Sequence, residues 1–272
     1  MSNVLEDSLF VSQNKKFDEI QSIVRQFSAE YVGNSIIKDN IFAVIQNYAR
    51  KKEIALELLR FPVHDEELWA LTFLKQDTIF ACVNTALPFC KQFFAAAHEL
   101  YHIYCYVENA DQSYIKNGSM LDSATVDETG STQEDLEANA FAGLLMMSDN
   151  VLREQILLYG MEKNLATVDD VLMLMEMFAM PYKAVVLRLL ESGNISYKQA
   201  EMLLKINTEE ILGRIALTGK AKRWQLDGKG TETFGTLLEK VEYNRQHGYL
   251  TESRENEDLA YIARLKRKYD LD

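Results

Sequence analysis

The first sixty residues place apolar side chains at helical spacing, with polar residues between them. Positions i, i+3, i+4 and i+7 recur through two successive segments, which is the period of an amphipathic helix. The apolar positions are Phe17, Ile20, Val24, Phe27 and Tyr31 in the first segment, and Ile41, Val44, Ile45, Tyr48, Ile54, Ala55, Leu58 and Leu59 in the second. We therefore predict two N-terminal helices, with the second pattern continuing almost to Pro62.

The next pattern is that of a β-hairpin. Two short runs, 69–74 and 78–83, are rich in aromatic and β-branched residues, and Lys75, Gln76 and Asp77 separate them. Such a pair of runs with a short polar connection predicts two antiparallel strands.

Helical patterns fill most of the remaining chain. Asn84 and Thr85 are candidate caps of a helix with Pro88 in its first turn, a polar stretch from Glu108 to Gly130 predicts a loop, and a further helix begins near Ser131 or Thr132. More helices are predicted at about 148–160, 168–179, 181–191, 196–206, 231–246 and 252–269, with a short strand at 222–226 and a turn at 227–230. The fold class predicted is α+β and predominantly α-helical, with a small antiparallel β-hairpin or sheet and a helical C-terminal region.

Composition narrows the class of protein. The 272 residues carry a net charge of −12, which disfavours DNA binding through phosphates as the main function. We find no secretory signal and no run long enough to span a membrane, and the three cysteines lack metal-binding spacing. We expect a cytoplasmic protein with reduced thiols. The sequence pattern changes near residue 212, beyond which a short strand, a turn and two further helices are predicted. This change predicts a division into a domain at 1–211 and a C-terminal appendage at 212–272.

The residues that indicate a chemistry are His98, Glu99 and His102, which form an HExxH sequence. Histidines at i and i+4 project from one face of a helix about 6 Å apart, so that both can bind one metal ion. Apolar residues precede and follow the motif, which predicts a buried helix where unpartnered imidazoles would be costly. We interpret the motif as a catalytic zinc site with Glu99 as the general base.

A catalytic zinc has a third protein ligand. The other histidines, His64 and His247, lack a supporting context, so we consider acids of the helix that follows Thr132. Asp135 shares a face with Ala138, Asn139 and Ala142, where one helix can approach another closely. Asp135 is the first candidate, Glu137 the second and Glu134 the third. A competing interpretation makes Asp135 the partner of Thr132 in a capping box, and Asn139 is placed to orient a ligating histidine.

Taken together, these segments resemble a known family. Ala97-His98-Glu99-Leu100, with His102, and Glu137-Ala138-Asn139, followed by Phe141, Ala142 and Leu144-Leu145-Met146, resemble the ImmA/IrrE metallo-endopeptidases. The stretch from Phe80 to Pro88 and the stretch from Met180 to Leu189 are also similar to that family, so that the resemblance covers about residues 40–200.

The resemblance implies a zincin-like metalloprotease core and a zinc ion bound by His98, His102 and Asp135, with Glu99 as the base. It also implies the partner, a helix-turn-helix transcriptional repressor that is cleaved to relieve repression. The chain has Tyr101 where the family usually has Gly and Met147 where it usually has Pro. The third ligand is also an Asp, Asp135, where the family commonly has Glu. The departures at Tyr101 and Asp135 motivate an alternative function, a non-catalytic metal-containing module that binds and occludes a regulator.

Two further roles stay open. A tyrosine can stabilise the oxyanion of the reaction, and Tyr101, Tyr104, Tyr106 and Tyr114 all lie near the motif in sequence. Cys105 lies three residues after His102 and is expected to be a buried thiol rather than a ligand.

Overall fold

The structure is a computed structural model that describes residues 4–33, 35–63, 65, 67–109, 115, 119–122, 132–161, 166–218 and 233–268. In these residues many helices surround one mixed β-sheet. The predicted class, α+β and predominantly helical, is confirmed. His64, Tyr114, Ser131 and the predicted strand and turn at 222–230 lie outside the described residues.

The two predicted N-terminal helices are present. Two short helices, α1 (Val4–Asp7) and α2 (Leu9–Ser12), precede the long helix α3 (Asn14–Tyr31), and α4 (Ile41–Lys51) follows. Both long helices bury the apolar stripe that the sequence pattern identified, and α3 packs against the helix that carries Asp135. The N-terminal region is therefore part of the support of the candidate site.

The sheet contains five strands in the order β4-β2-β3-β1-β5. Strands β2 (Leu68–Lys75) and β3 (Thr78–Asn84) form the predicted antiparallel hairpin, which is confirmed. Strand β1 (Leu56–Phe61) pairs with β3 in parallel, so the sheet is mixed and not purely antiparallel. The outer strands are β4 (Ser119–Asp122), which pairs with β2, and β5 (Thr233–Phe234), which pairs with β1.

Two local predictions about this sheet were wrong. The pattern of Ile54, Ala55, Leu58 and Leu59 was read as helical, but α4 ends at Lys51 and residues 56–61 are a strand. Apolar residues at i and i+4 also lie on one face of a strand, and pairing with β3 selects the extended conformation here. In the predicted loop, the helix that begins at Phe89 continues to Asn109, and residues 119–122 form β4.

The connection between β1 and β2 depends on Asn84, which was predicted to cap a helix. Its side-chain amide donates to the carbonyl oxygens of Val63, Asp65 and Leu68, and its Oδ1 accepts from the backbone N–H of Val63 at 2.8 Å. Its Oδ1 also accepts from the backbone N–H of Ala86 at 3.0 Å. The buried Asn84 therefore stabilises the loop before the hairpin and the turn that follows β3, whereas the next helix begins only at Phe89.

The remaining helices follow the predicted order closely. They are α5 (Phe89–Asn109), α6 (Gln133–Met146), α7 (Asp149–Leu158), α8 (Val168–Phe178), α9 (Tyr182–Glu191), α10 (Tyr197–Leu204), α11 (Thr208–Leu217), α12 (Leu237–Gln246) and α13 (Glu252–Lys268). None of the helices in the described ranges is both long and apolar enough to cross a membrane.

The C-terminal residues are attached to the sheet by the pairing of β5 with β1 and by the hydrogen bonds of one carboxylate. Glu57 on β1 is 9% exposed and accepts hydrogen bonds from the backbone N–H and hydroxyl of Thr236 and from the ammonium group of Lys240. Helix α11 spans the predicted boundary between residues 211 and 212. The division into two domains at that point stays a prediction.

Candidate metal centre

The HExxH sequence lies in the middle of α5, which is buried along most of its length, as predicted. Helix α5 packs against α6 on one side and against β2 and β3 on another. Alanines with no exposed surface on both helices, including Ala97, Ala138 and Ala142, permit a close approach. The packing of α5 on α6 brings the two histidines next to the acid at the start of α6.

Three ligand-type atoms converge at this contact. The Nε2 atoms of His98 and His102 are 3.1 Å apart, and Asp135 Oδ1 lies 3.8 Å from the first and 3.9 Å from the second. His98 is 0% exposed and His102 is 2% exposed, whereas the Asp135 side chain is 15% exposed. Among the described residues, these three form the group of histidine, cysteine and acidic side chains able to hold a metal ion.

The dimensions of the cluster fit zinc. The centre of the triangle formed by the three atoms lies about 2.1 Å from each of them, so an ion with tetrahedral ligands would lie about 2.2 Å from each atom, close to the usual length of zinc–nitrogen and zinc–oxygen bonds. Tetrahedral ligands at that bond length are about 3.4 Å apart, close to the mean separation seen here. Two imidazoles and one carboxylate are also the donor set of many catalytic zinc sites, which keep a fourth position for water.

Burial keeps the two imidazoles neutral, as a metal ligand must be. Loss of solvation lowers the pKa of His98 to about 4. It lowers the pKa of His102 to about 3, where the neighbouring His98 also disfavours the charge. At neutral pH both rings therefore have a lone pair available for a metal ion.

A hydrogen bond selects the tautomer of His98. Its Nδ1 lies 3.0 Å from the amide oxygen of Asn139, so Nδ1 carries the proton and donates it. The Nε2 atom is then the free base that faces the cluster. The predicted orienting contact of Asn139 is confirmed. On the other ring, His102 Nδ1 is buried and has no hydrogen-bond partner in the described part of the chain.

Asp135 occupies two roles that the sequence presented as alternatives. It is the third residue of α6 and completes a capping box with Thr132. Its Oδ2 accepts both hydrogen bonds from Thr132, while Oδ1 faces the histidines. The cap and the cluster are therefore compatible, because they use different oxygens of one carboxylate.

The other acidic candidates are not in the cluster. Glu137 is buried, and its Oε2 accepts a 2.6 Å hydrogen bond from the hydroxyl of Tyr101. Its Oε1 accepts from the Gln133 amide at 3.0 Å and lies 3.6 Å from the ammonium of Lys16. Glu134 also lies outside the group of converging ligand atoms. The structure thus gives Glu137 a different function, as a link between α3, α5 and α6.

Glu99 is fully buried on the sheet side of α5. Burial and, to a smaller extent, the negative charge of Glu99 together raise the pKa of the Cys82 thiol on β3 to about 12, which places this carboxylate near β3. Glu99 directly follows His98 in sequence, and its side chain is buried close to β3. Its role as a base stays a prediction.

The remaining predicted groups are placed as follows. Cys105 is buried, as expected, the three cysteines form no disulfide with one another, and Cys105 is not a member of the cluster. The Tyr101 hydroxyl is engaged by Glu137, and burial raises its pKa, so it is a neutral donor to that acid. No contact selects Tyr104 or Tyr106 as a group that stabilises the oxyanion.

The α+β fold and the His-His-Asp cluster define a protein of the metallopeptidase type. A family model described as peptidase M78, the IrrE N-terminal-like domain, matches residues 51–190, slightly more than half of the chain. The chain belongs to this family. A search of curated proteins found no match.

Sequence reasoning missed two contributors to this centre. Tyr101 was considered as a possible oxyanion donor and as a departure from the family pattern, but not as the hydrogen-bond partner of Glu137 that it is. The capping box of Thr132 with Asp135 was predicted and is confirmed, but Thr132 was not considered as a support of the candidate third ligand. The capping-box spacing contained the information about Thr132, whereas no local pattern links Tyr101 to a residue thirty-six positions later.

Proposed function

We propose that this protein is a zinc-dependent endopeptidase of the cytoplasm, with His98, His102 and Asp135 as the zinc ligands and Glu99 as the general base. The observation that carries the proposal is the triangle of ligand atoms, with sides of 3.1, 3.8 and 3.9 Å. Membership of a peptidase family and the neutral state of both imidazoles support the same assignment.

The chain's own residues would divide the reaction between them. When bound, zinc supplies a Lewis acid that polarises the scissile carbonyl and makes water a better nucleophile. Glu99 accepts a proton from the attacking water and passes it to the leaving amine. Asn139 keeps His98 in the tautomer that binds metal, and the apolar packing around α5 excludes bulk water from the reacting groups.

The experiment that tests this function separates metal binding from catalysis. We expect the purified protein with zinc to cleave members of a peptide library, and a chelator such as 1,10-phenanthroline to abolish cleavage until zinc is restored. Glu99→Gln should keep zinc and lose at least a hundredfold in rate, because a general base contributes about 10²–10⁴-fold. His98→Ala should lose both. Undiminished cleavage by Glu99→Gln would exclude this mechanism.

For the substrate, we propose a helix-turn-helix transcriptional repressor, whose cleavage would relieve repression in a mobile element or a stress response. The support is the resemblance to antirepressor peptidases together with the matched family domain. Incubation with the regulator encoded beside its gene should give discrete fragments that disappear with chelator. A stable complex without fragments would instead favour the alternative, a module that binds and occludes the regulator.

A further inference from the structure

The first turn of α6 contains three hydrogen bonds between Thr132 and Asp135. The backbone N–H of Thr132 donates to Asp135 Oδ2 at 2.9 Å, and the Thr132 hydroxyl donates to the same oxygen at 2.8 Å. The hydroxyl oxygen also accepts from the backbone N–H of Asp135 at 3.2 Å. Every hydrogen bond in this set that reaches the carboxylate uses Oδ2.

This division leaves Oδ1 for the cluster. A carboxylate is planar, so fixing Oδ2 at the helix start also fixes the direction of the second oxygen. That oxygen lies 3.8 and 3.9 Å from the two histidine Nε2 atoms. The short side chain of Asp135 reaches both partners because the cap and the histidines lie on opposite sides of its carboxylate.

We propose that Thr132 is a positioning residue for the third metal ligand, acting through its side-chain hydroxyl. The proposal rests on the function proposed above, since it requires that Asp135 binds the metal. Without the hydroxyl, the carboxylate retains one backbone donor and gains rotational freedom, which metal binding must then remove. Outer partners of metal ligands typically change metal affinity by about 10–100-fold when they are replaced.

The chain contains a matched control for this proposal. Helix α8 begins with a second capping box, in which the Thr167 backbone and hydroxyl donate to Asp170 Oδ2 at 2.7 and 2.8 Å. The reciprocal bond from Asp170 N–H to the Thr167 hydroxyl is 3.3 Å. The two boxes have the same residue types and nearly the same geometry, but Asp170 belongs to no cluster of metal-ligand atoms in the described ranges. Replacing Thr167 therefore measures the loss of a helix cap alone.

The test compares Thr132→Ala, Thr132→Ser and Thr167→Ala with the unmodified full-length protein. Zinc affinity is measured by competition with a chelating dye, Co²⁺ spectra report the ligand geometry, and circular dichroism reports folding. We expect Thr132→Ala to bind zinc about tenfold more weakly and to shift the Co²⁺ absorption bands. Thr132→Ser, which retains a hydroxyl, should stay within about twofold of the unmodified protein, and so should Thr167→Ala.

Four results would overturn the inference, and each has a distinct cause. Unchanged zinc affinity in a folded Thr132→Ala protein would show that the hydroxyl does not position Asp135. Equal losses in Thr132→Ala and Thr167→Ala would show a general effect of helix capping. If Thr132→Ala does not fold, a tenfold loss in Thr132→Ser would be the contradicting result. Failure of the unmodified protein to bind zinc would instead overturn the proposed metal site, and this inference with it.

Discussion

Replacing Tyr101 by Phe removes a buried hydroxyl that contacts Glu137. The variant tests whether this contact contributes to stability and not to metal binding. The hydroxyl donates a 2.6 Å hydrogen bond to Glu137, which is 5% exposed. Hydrogen bonds to charged groups contribute about 1.5–3 kcal/mol. Because Glu137 keeps its contacts with Gln133 and Lys16, we expect a loss of about 2 kcal/mol, or about 30-fold in the unfolding constant.

Two measurements follow from this change. Urea denaturation of the zinc-free protein gives the loss of stability, and dye competition gives the zinc affinity. We expect the zinc affinity of Tyr101→Phe to stay within about twofold, because neither Tyr101 nor Glu137 belongs to the cluster of ligand atoms. Asp135→Ala should lower the zinc affinity at least about a hundredfold, whereas Glu137→Gln should leave it unchanged.

A control variant separates the hydrogen bond from the mere loss of an oxygen atom. Tyr104→Phe removes a hydroxyl of the same helix that has no hydrogen bond among the described residues, so it should cost less than about 0.5 kcal/mol. Equal losses in both variants would contradict the stability argument. Loss of zinc in Glu137→Gln, with zinc retained in Asp135→Ala, would refute the assignment of the third ligand.

Two further variants test the support of the centre. Asn139→Ala removes the hydrogen-bond acceptor of the first motif histidine, and zinc affinity measured by dye competition should fall by about 10–100-fold with little change in secondary structure. Arg188→Met removes a buried guanidinium that binds the Met147 carbonyl, Asp149 and Glu191 behind α6. It should destabilise the protein by about 3–5 kcal/mol in urea denaturation, because an acidic partner is left buried without its cation. Unchanged affinity in the first variant or unchanged stability in the second would contradict these assignments.

The parts of the fold that the sequence predicted correctly depend on local rules. Helices α3 and α4 have apolar stripes at the helical period, and the hairpin of β2 and β3 has two short runs with a polar turn. The capping box at the start of α6 uses only residues within one turn. In each case the interactions that determine the structure lie close together in sequence.

The errors occurred where distant pairing decides the conformation. Residues 56–61 become a strand because β3, more than twenty positions later, pairs with them in parallel. Residues 119–122 lie in a polar stretch and become a strand because β2 provides an antiparallel partner. Short segments with weak local preference adopt the structure that their tertiary partners impose.

The candidate site shows the same division between local and distant information. The spacing of His98 and His102 on one helix face follows from helix geometry alone, and so does the face shared by Asp135 and Asn139. The sequence could not decide whether Asp135 caps the helix or faces the histidines. The structure shows that two oxygens of one carboxylate do both, which required the relative placement of α5 and α6.

The most direct test of this account is the location of zinc in a crystal of the full-length protein, measured by anomalous diffraction at the zinc absorption edge. The account predicts one strong peak within about 2.2 Å of His98 Nε2, His102 Nε2 and Asp135 Oδ1. A zinc peak coordinated by Glu137 or Glu134 in place of Asp135, or no peak at the two histidines, would contradict it.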